Sequence, residues 1–239
     1  MHNRIRKIAV IPARGGSKRI PRKNVKDFLG KPIMAYSIEA ALDSGLFDEV
    51  MVSTEDGEIA DIAKSYGASV PFQRSIKNSD DYATTVEVMI EVLEKYKNCN
   101  TPKFDWLCCI YPTSPLINST KLIDSYETLL AHNGSSLIPV VRYSFPPQRA
   151  FVVKDGLLVY NQDEHSSTRS QDLEPYYHDA GQFYWVDINI MLKIKSLVTN
   201  KTIPFILRET EVQDIDTLID WTMAELKFKL AQSTSIVTK

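Results

Sequence analysis

Five cationic side chains and no acidic one follow a short apolar run near the start of the chain, in the segment RGGSKRIPRKN. Two adjacent glycines, Gly15 and Gly16, let the backbone approach a ligand closely and expose successive N–H groups, a nest that suits anions. Arginine offers a planar fork to phosphate oxygens, and lysine offers a compact point charge. The spacing matches neither a P-loop nor a dinucleotide fingerprint. The loop therefore predicts a triphosphate site, and the alternative is a solvated basic turn.

A pair of aspartates in the last part of the chain has the spacing of a metal site. Asp214 and Asp216 are two residues apart in DIDTLID, so in an extended segment their side chains point to the same side. Two carboxylates suit a hard, oxygen-ligated Mg²⁺ that also bridges to phosphate. The alternative is that one of them, Asp216, caps the closing helix, since aspartate is a favoured N-cap residue. The two roles can coexist.

The composition excludes several classes of protein. The 239 residues carry a formal net charge of −2, so no nucleic-acid partner is expected and the basic loop is a local feature for a small anion. No apolar run approaches the ~18 residues of a membrane span, and the run near the N-terminus is too short for a signal peptide. The three cysteines lack the spacing of metal ligands, which is typical of reduced thiols in a cytoplasmic protein.

Strand-like and helical patterns alternate through the first two-thirds of the chain. This alternation predicts an α/β fold with a doubly wound, mostly parallel sheet, because parallel strands need crossover connections. Ligands bind beyond the carboxyl ends of strands in such sheets, where the basic loop is placed. The predicted strands are residues 5–11, 49–53, 68–72, 106–111, 136–141 and 203–207, and the predicted helices are residues 32–44, 56–66, 82–97, 120–131 and 216–230. In the last helix, the residues that fall on one apolar face are Ile219, Met223, Leu226 and Leu230.

The pattern changes between residues 142 and 186. Short strand-like pieces at 150–153, 157–160 and 182–186 stand among prolines and a polar stretch. We interpret residues 142–186 as an inserted antiparallel arm that covers the site or mediates a homodimer, with residues 1–141 and 187–239 forming the α/β domain. The alternative is a disordered surface loop. Aromatic residues, which are seldom left in water, argue against it; they are Tyr176, Tyr177, Phe183, Tyr184 and Trp185.

Four segments together resemble one enzyme family. The loop IPARGGSKRIPRKN is similar to the signature of the CMP-sialic acid synthetases, also called acylneuraminate cytidylyltransferases. The segments RSIKNSDDYATTVEVM, YPTSPL and DIDTLID resemble three further motifs of that family, in the expected order over most of the chain. The resemblance implies a Rossmann-like nucleotidyltransferase fold. It also implies transfer of CMP from CTP to the anomeric hydroxyl of a keto sugar acid, with release of pyrophosphate.

The family pattern implies a CTP site. It places Arg74 and Thr85 at the cytosine, whose ring acceptors and amine can be recognised by an arginine and a hydroxyl. The alternative for Arg74 is a surface ion pair with Asp80 or Asp81. The residues implied to bind CTP are Arg14, Gly16, Ser17, Lys18, Lys23, Asn24, Arg74 and Thr85.

The chemistry of the implied reaction depends on positioning and on charge neutralisation. Lys23 and a Mg²⁺ held by Asp214 and Asp216 would stabilise charge on the α-phosphate, while Arg14 and Lys18 would favour the departing pyrophosphate. The catalytic candidates are therefore Lys23, Arg14 and Asp216, the last as a weak base for the sugar hydroxyl.

Two features are similar to the branch of the family that activates pseudaminic acid, a nine-carbon keto sugar acid. Tyr111 stands where the sialic branch places a glutamine, and DAGQFYW resembles the pseudaminic form of another segment. The resemblance implies that Arg169 binds the acceptor carboxylate and that Tyr111 and Gln182 contact its acylamino groups. Sialic acid and an eight-carbon keto acid are alternative acceptors. A non-catalytic nucleotide-binding module is the alternative class, and the paired aspartates disfavour it because such a module needs no metal.

Overall fold

A seven-stranded sheet forms the centre of the computed structural model, which describes residues 4–99 and 103–237. Two small antiparallel pairs of strands lie outside this sheet. The strands are β1 (Lys7–Pro12), β2 (Asp27–Phe28), β3 (Lys31–Pro32), β4 (Glu49–Ser53), β5 (Trp106–Ile110), β6 (Ser136–Arg142), β7 (Phe151–Lys154), β8 (Leu157–Tyr160), β9 (Tyr177–Asp179), β10 (Phe183–Asp187) and β11 (Thr202–Leu207). The helices are α1 (Ile33–Asp43), α2 (Gly57–Ser65), α3 (Thr85–Asn98), α4 (Ser119–Ala131), α5 (Ile188–Ile194) and α6 (Leu218–Val237).

The central sheet is mixed but mostly parallel, as predicted. Its strand order is β11-β6-β10-β5-β1-β4, and β9 adds to β6. Strand β1 runs parallel to β4 and β5, and β11 runs parallel to β6, whereas β10 is antiparallel to both of its neighbours. The predicted α/β class is confirmed.

Helices cover both faces of the sheet because successive strand residues point to opposite sides. In β1, Ala9 and Ile11 face one core cluster, to which α1, α2 and α4 contribute. Ile8 and Val10 face a second cluster, to which α3 and α5 contribute. Cys108 and Cys109 are buried in opposite clusters, as adjacent strand residues should be. The doubly wound arrangement is therefore present.

Most of the predicted elements are present with shifts of a few residues, but one strand prediction is wrong. Residues 68–72 form only an isolated bridge, between Ser69 and Met51 of β4. Pro71 follows two residues later, and proline cannot donate to a ladder. The segment instead runs along the sheet edge towards the site.

The strand predicted at 182–186 is present as β10, but it does not belong to a ribbon outside the sheet. It lies between β5 and β6, and β9 also joins β6. Its aromatic side chains are buried in the main core rather than exposed; these are Phe183, Tyr184 and Trp185. The hairpin β7–β8 forms a separate sheet. The part of the arm outside the central sheet therefore ends before Tyr177.

The apolar face predicted for the last helix is wrong. Ile219, Met223 and Leu226 are exposed, and so is Leu230. The helix begins at Leu218, and its buried side is built on Trp221 and Ala224, which join Ile20, Phe28, Ile33 and Ile215 in a third cluster. No helix within the described residues is both long and apolar enough to cross a membrane.

Candidate active site

A cavity of about 640 Å³ opens at the carboxyl ends of β1 and β5. Loops from each of these strands meet there, as expected for an open α/β sheet. Five cations and four carboxylates line it. The predicted site residues in its wall are Arg14, Ser17, Lys18, Lys23, Asn24, Arg74, Thr85, Tyr111, Asp214 and Asp216. Gly16, Gln182 and Arg169 lie outside the wall.

The basic loop is held by acids from the loop after β4. The Gly15 N–H donates to Glu55 Oε1 at 2.7 Å, and a Cβ on Gly15 would lie 2.6 Å from Asp56 Oδ2. The Ser17 N–H donates to Gly15 O. Two N–H groups of the loop are therefore used within the protein, so the predicted nest of free N–H groups is not formed at these positions.

Arg22 fixes the end of the basic loop. Its φ of 56° lies in the left-handed region, which non-glycine residues rarely adopt. The guanidinium donates to Asp56 Oδ2 at 2.5 Å and Oδ1 at 3.2 Å, and it also contacts Glu58. This bidentate pair stabilises the turn that begins the short helix Lys23–Val25 and directs Lys23 into the cavity.

Lys23 lies against the paired aspartates. Its Nζ donates to Ile215 O at 2.6 Å and lies 3.8 Å from Asp216 Oδ1. Ile215 is buried beside Ile20 in the third cluster, which fixes the aspartates on either side of it at the cavity. Burial lowers the pKa of the Lys23 ammonium, although the charges of Asp216 and Asp214 oppose this shift.

The two aspartates of the pair differ in how their charge is compensated, because Arg19 and Lys23 both lie against Asp216. Partial desolvation and then the neighbouring charge of Asp216 raise the pKa of the Asp214 carboxyl. Asp216 Oδ2 accepts from Arg19 at 2.7 Å. The alternative role for Asp216, capping α6, is wrong: Thr217 and Asp220 form the reciprocal cap, with Thr217 N donating to Asp220 Oδ2 at 2.7 Å.

A divalent cation fits this pair of carboxylates. Desolvation and mutual repulsion, which raise the pKa of Asp214, are both relieved by a dication. No cluster of three or more protein ligands for a metal occurs within the described residues. When Mg²⁺ binds with a nucleotide, it is typically held by one or two carboxylates, and substrate oxygens and water fill its remaining coordination positions.

Two further cations of the basic loop are paired with one aspartate. Arg14 Nη1 lies 2.7 Å from Asp81 Oδ1, and Lys18 Nζ contacts Asp81 Oδ2. Arg14 Nη1 also donates to Asp80 O at 3.0 Å. These ion pairs gather Arg14 and Lys18 on one wall of the cavity.

Arg74 lies at the cavity floor with 7% of its surface exposed. Its Nε donates to Ser53 Oγ at 3.1 Å, and its Nη2 donates to Ser53 O. The alternative prediction of a surface ion pair with Asp80 or Asp81 is therefore wrong. Thr85 begins α3 nearby and lines the same cavity. Burial lowers the pKa of the Arg74 guanidinium.

Glu91 on α3 holds the segment that carries Arg74. Its carboxylate accepts from Ser75 N and Ser75 Oγ, both at 2.7 Å, and from the Asn78 amide. The Nζ of Lys95 also lies 2.8 Å from Glu91 Oε1 and forms an ion pair with it. Burial opposes ionisation of Glu91, but these hydrogen bonds outweigh burial and lower its pKa from 4.5 to about 2.

Replacing Glu91 with glutamine is expected to lower the free energy of unfolding by about 2 kcal/mol at neutral pH. The folded pKa lies below the unfolded one, so the stabilisation is present above pH 4.5 and is lost as the pH falls towards about 2. Urea unfolding of wild type and variant across this range measures the difference. Glu94→Gln, an exposed change on the same helix, is the control, and an equal loss in both variants would contradict the role of Glu91.

Tyr111 lines the cavity directly after β5. Its ring packs against Tyr184 at 5.3 Å between centroids, and its hydroxyl lies 3.4 Å from Thr85 Oγ1. Its N–H donates to Gln182 O. Gln182 is buried, and its Nε2 donates to Glu211 O at 2.7 Å, whereas its Oε1 has no hydrogen-bond partner among the described residues. Arg169 is exposed in the arm, away from the cavity wall.

The sequence reasoning missed the acids that organise the cations. Glu55, Asp81 and Glu91 each fix a part of the site through contacts 16 to 67 residues apart in the chain. A general signal was available, because five cations without a local acid require carboxylates from elsewhere. The sequence does not show which carboxylates these are.

Comparison with known proteins agrees with this geometry. The family model described as Cytidylyltransferase matches residues 8–220. The chain is 42% identical over 233 residues to a pseudaminic acid cytidylyltransferase of Campylobacter jejuni, covering 95% of this chain and 97% of the relative. It is 35% identical to a CMP-N,N'-diacetyllegionaminic acid synthase of Legionella pneumophila, covering 95% and 98%. A solved structure of CMP:2-keto-3-deoxy-manno-octonic acid synthetase with CTP shares the fold, with a TM-score of 0.68, 18% identity and coverage of 95% and 99%. The chain therefore belongs to the cytidylyltransferase family.

Proposed function

We propose that the enzyme transfers CMP from CTP to the anomeric hydroxyl of pseudaminic acid and releases pyrophosphate. The observation that carries this proposal is the cavity itself, which is lined by cations suited to a triphosphate, by a buried arginine and by the ring of Tyr111. The Campylobacter jejuni relative, which matches along nearly the whole of both chains, supports the choice of acceptor. The cysteines are free, with Cys108 and Cys109 buried and Cys99 exposed, and unpaired thiols support a cytoplasmic site for the reaction.

The residues of the cavity divide between the parts of CTP. Arg74 and Thr85 recognise the cytosine at the floor, and Arg14 and Lys18 bind the β- and γ-phosphates. Lys23 lies between them, near the α-phosphate. Asp214 and Asp216 hold Mg²⁺, which neutralises phosphate charge when it is bound. Most of the catalytic effect then comes from positioning and from charge neutralisation.

The transfer is an in-line displacement at the α-phosphate. The anomeric oxygen forms a bond to the α-phosphorus while the bond to the bridging oxygen of pyrophosphate breaks, and pyrophosphate leaves with that electron pair. Lys23 stabilises the charge that develops on the α-phosphate. The proton of the anomeric hydroxyl passes to a weak base, for which Asp216 is the candidate. The histidines at 132, 165 and 178 do not line the cavity.

The enzyme is expected to prefer pseudaminic acid over sialic acid by roughly a hundredfold in kcat/KM. Tyr111 offers an apolar ring with one polar atom, whereas sialic acid carries more hydroxyls than the 9-deoxy sugar. Each hydroxyl left without a partner costs ~1–3 kcal/mol. The measurement is kcat/KM for both sugars at saturating CTP and Mg²⁺.

Tyr111→Gln should relax this preference, since an amide can pair with sugar hydroxyls. Tyr82→Gln is the control, because Tyr82 is 90% exposed on a neighbouring loop and lies outside the cavity wall. Equal use of both sugars by the wild type would remove the pseudaminic assignment and leave the cytidylyltransferase activity in place.

We infer that the arm mediates a homodimer. Hairpin β7–β8 exposes Val153, Leu157 and Leu158 to water, and Phe145 nearby is almost fully exposed. Apolar surface of this kind marks an interaction site. In a dimer built on the arm, Arg169 could reach the acceptor site of the partner chain, because Arg169 lies in the arm and outside the cavity of its own chain.

Light scattering is expected to give twice the 27.1 kDa of one chain. Leu158→Asp should shift the mass towards the monomer, since it places a charge on the exposed hairpin. Val198→Asp, an equally polar change at an exposed position outside the arm, should leave the dimer intact. A monomer mass at all concentrations would refute the dimer.

A further inference from the structure

Asp81 lies where an anionic ligand would be expected. It contacts Arg14 and Lys18, two cations of the basic loop, with one carboxylate oxygen to each. Its side chain keeps 37% of its surface exposed at the cavity wall. A carboxylate with two separated oxygens, each on a different cation, resembles two oxygens of a phosphate chain. The single negative charge of Asp81 is thereby shared between the two cations.

The loop that carries Asp81 does not depend on this carboxylate. Asp80 Oδ1 accepts from Tyr82 N at 2.9 Å and from Ala83 N at 2.8 Å, which closes the turn. Thr84 and Glu87 then form the capping box of α3. The Asp81 side chain can therefore move away from the cations while the turn and the helix stay in place.

We propose that Asp81 is an internal counter-anion, which a pyrophosphate group must displace from Arg14 and Lys18 and which returns to them when that group leaves. The proposal rests on the proposed function, since it takes CTP as the ligand. CTP and pyrophosphate both compete with Asp81. CMP, whose single phosphate is the one near Lys23, does not. Asp81 thus weakens the binding of the pyrophosphate group and promotes release of this product.

Asp81→Asn tests the proposal, because it removes the charge and keeps the shape of the side chain. Two exposed ion pairs are lost, so binding of inorganic pyrophosphate and of CTP should tighten by about five- to tenfold. The Kd of CMP should change by less than about twofold, because the phosphate of CMP does not contact Asp81 and salt screens the interaction between their charges. Titration calorimetry at fixed Mg²⁺, without acceptor, measures all three ligands.

Glu94→Gln is the control, since Glu94 is exposed on α3 outside the cavity wall and the change likewise removes one negative charge. It should leave the three Kd values unchanged. Unchanged or weaker pyrophosphate binding in Asp81→Asn would overturn the proposal, and so would equal tightening of CMP. A wild-type protein that binds pyrophosphate but does not prefer CTP over ATP would contradict the proposed function, while the pyrophosphate titrations would still decide the role of Asp81.

Discussion

Lys23→Ala is expected to lower kcat by about a hundredfold or more, which corresponds to the loss of ~3 kcal/mol of transition-state stabilisation. Lys23 is the less exposed of the two cations that lie against Asp216, with 21% of its side chain exposed against 68% for Arg19. A charge in such a partly desolvated position acts more strongly on developing charge than one in open water. The KM for CTP should change less than kcat, because Arg14 and Lys18 remain.

The control for Lys23→Ala must separate lost charge from a disturbed loop. Lys23 also donates to Ile215 O, so the variant removes a link between the basic loop and the aspartate segment. Thermal unfolding should show that the fold is retained. Lys26→Ala, on the same loop but stacked on Trp221 at 5.3 Å and outside the cavity, should keep nearly full activity. A Lys23→Ala enzyme within a few-fold of wild type would remove Lys23 from the mechanism.

Chelation of divalent metal by EDTA is expected to abolish turnover, and added Mg²⁺ should restore it. Asp216→Asn should require a much higher Mg²⁺ concentration, because only one of the two carboxylates remains to bind the cation and the negative charge of the site is lower. The measurement is initial rate against free Mg²⁺ for wild type and variant. Binding of Mn²⁺, followed by its electron paramagnetic resonance signal, gives a second readout that does not depend on turnover.

Asp216 also pairs with Arg19, so its replacement frees a cation at the cavity. Asp61→Asn, an exposed change on α2 away from the site, controls for a general loss of negative charge and should leave the Mg²⁺ dependence unchanged. Full activity in the presence of chelator would contradict the metal site.

The centre of the site could be predicted because its parts are local in the sequence. The basic loop follows a buried strand directly, and the rule that ligands bind at the carboxyl ends of parallel strands places it correctly. Asp214 and Asp216 have the same-side spacing of an extended segment, and Ile215 between them is buried as that alternation requires. These features need no knowledge of distant contacts.

The topology of the arm could not be predicted, because a strand pattern does not tell which neighbours the strand will have. The sequence pattern of β10 predicts a strand, but its central place in the sheet follows only from its pairing with β5 and β6. In α6, two apolar stripes compete for the core. The stripe with Trp221 and Ala224 is buried against Phe28, and the stripe with Ile219 and Met223 is left in water.

The charge balance of the site could not be predicted either. Arg14 pairs with Asp81, and Arg22 pairs with Asp56. Each of these pairs joins residues from different loops, so the partners are determined by the packing of the sheet and not by spacing. The sequence predicts the cations, whereas the fold selects the acids that hold them.

The most direct test is release of pyrophosphate from CTP with a panel of keto sugar acids: pseudaminic acid, sialic acid, a legionaminic acid and an eight-carbon keto acid. Mass spectrometry identifies the product, and ATP, GTP and UTP replace CTP in parallel reactions. We expect rapid release with CTP and pseudaminic acid, a product with the mass of the CMP conjugate, and little release with the other nucleotides. Absence of pyrophosphate release with every acid in the presence of CTP and Mg²⁺ would contradict the account.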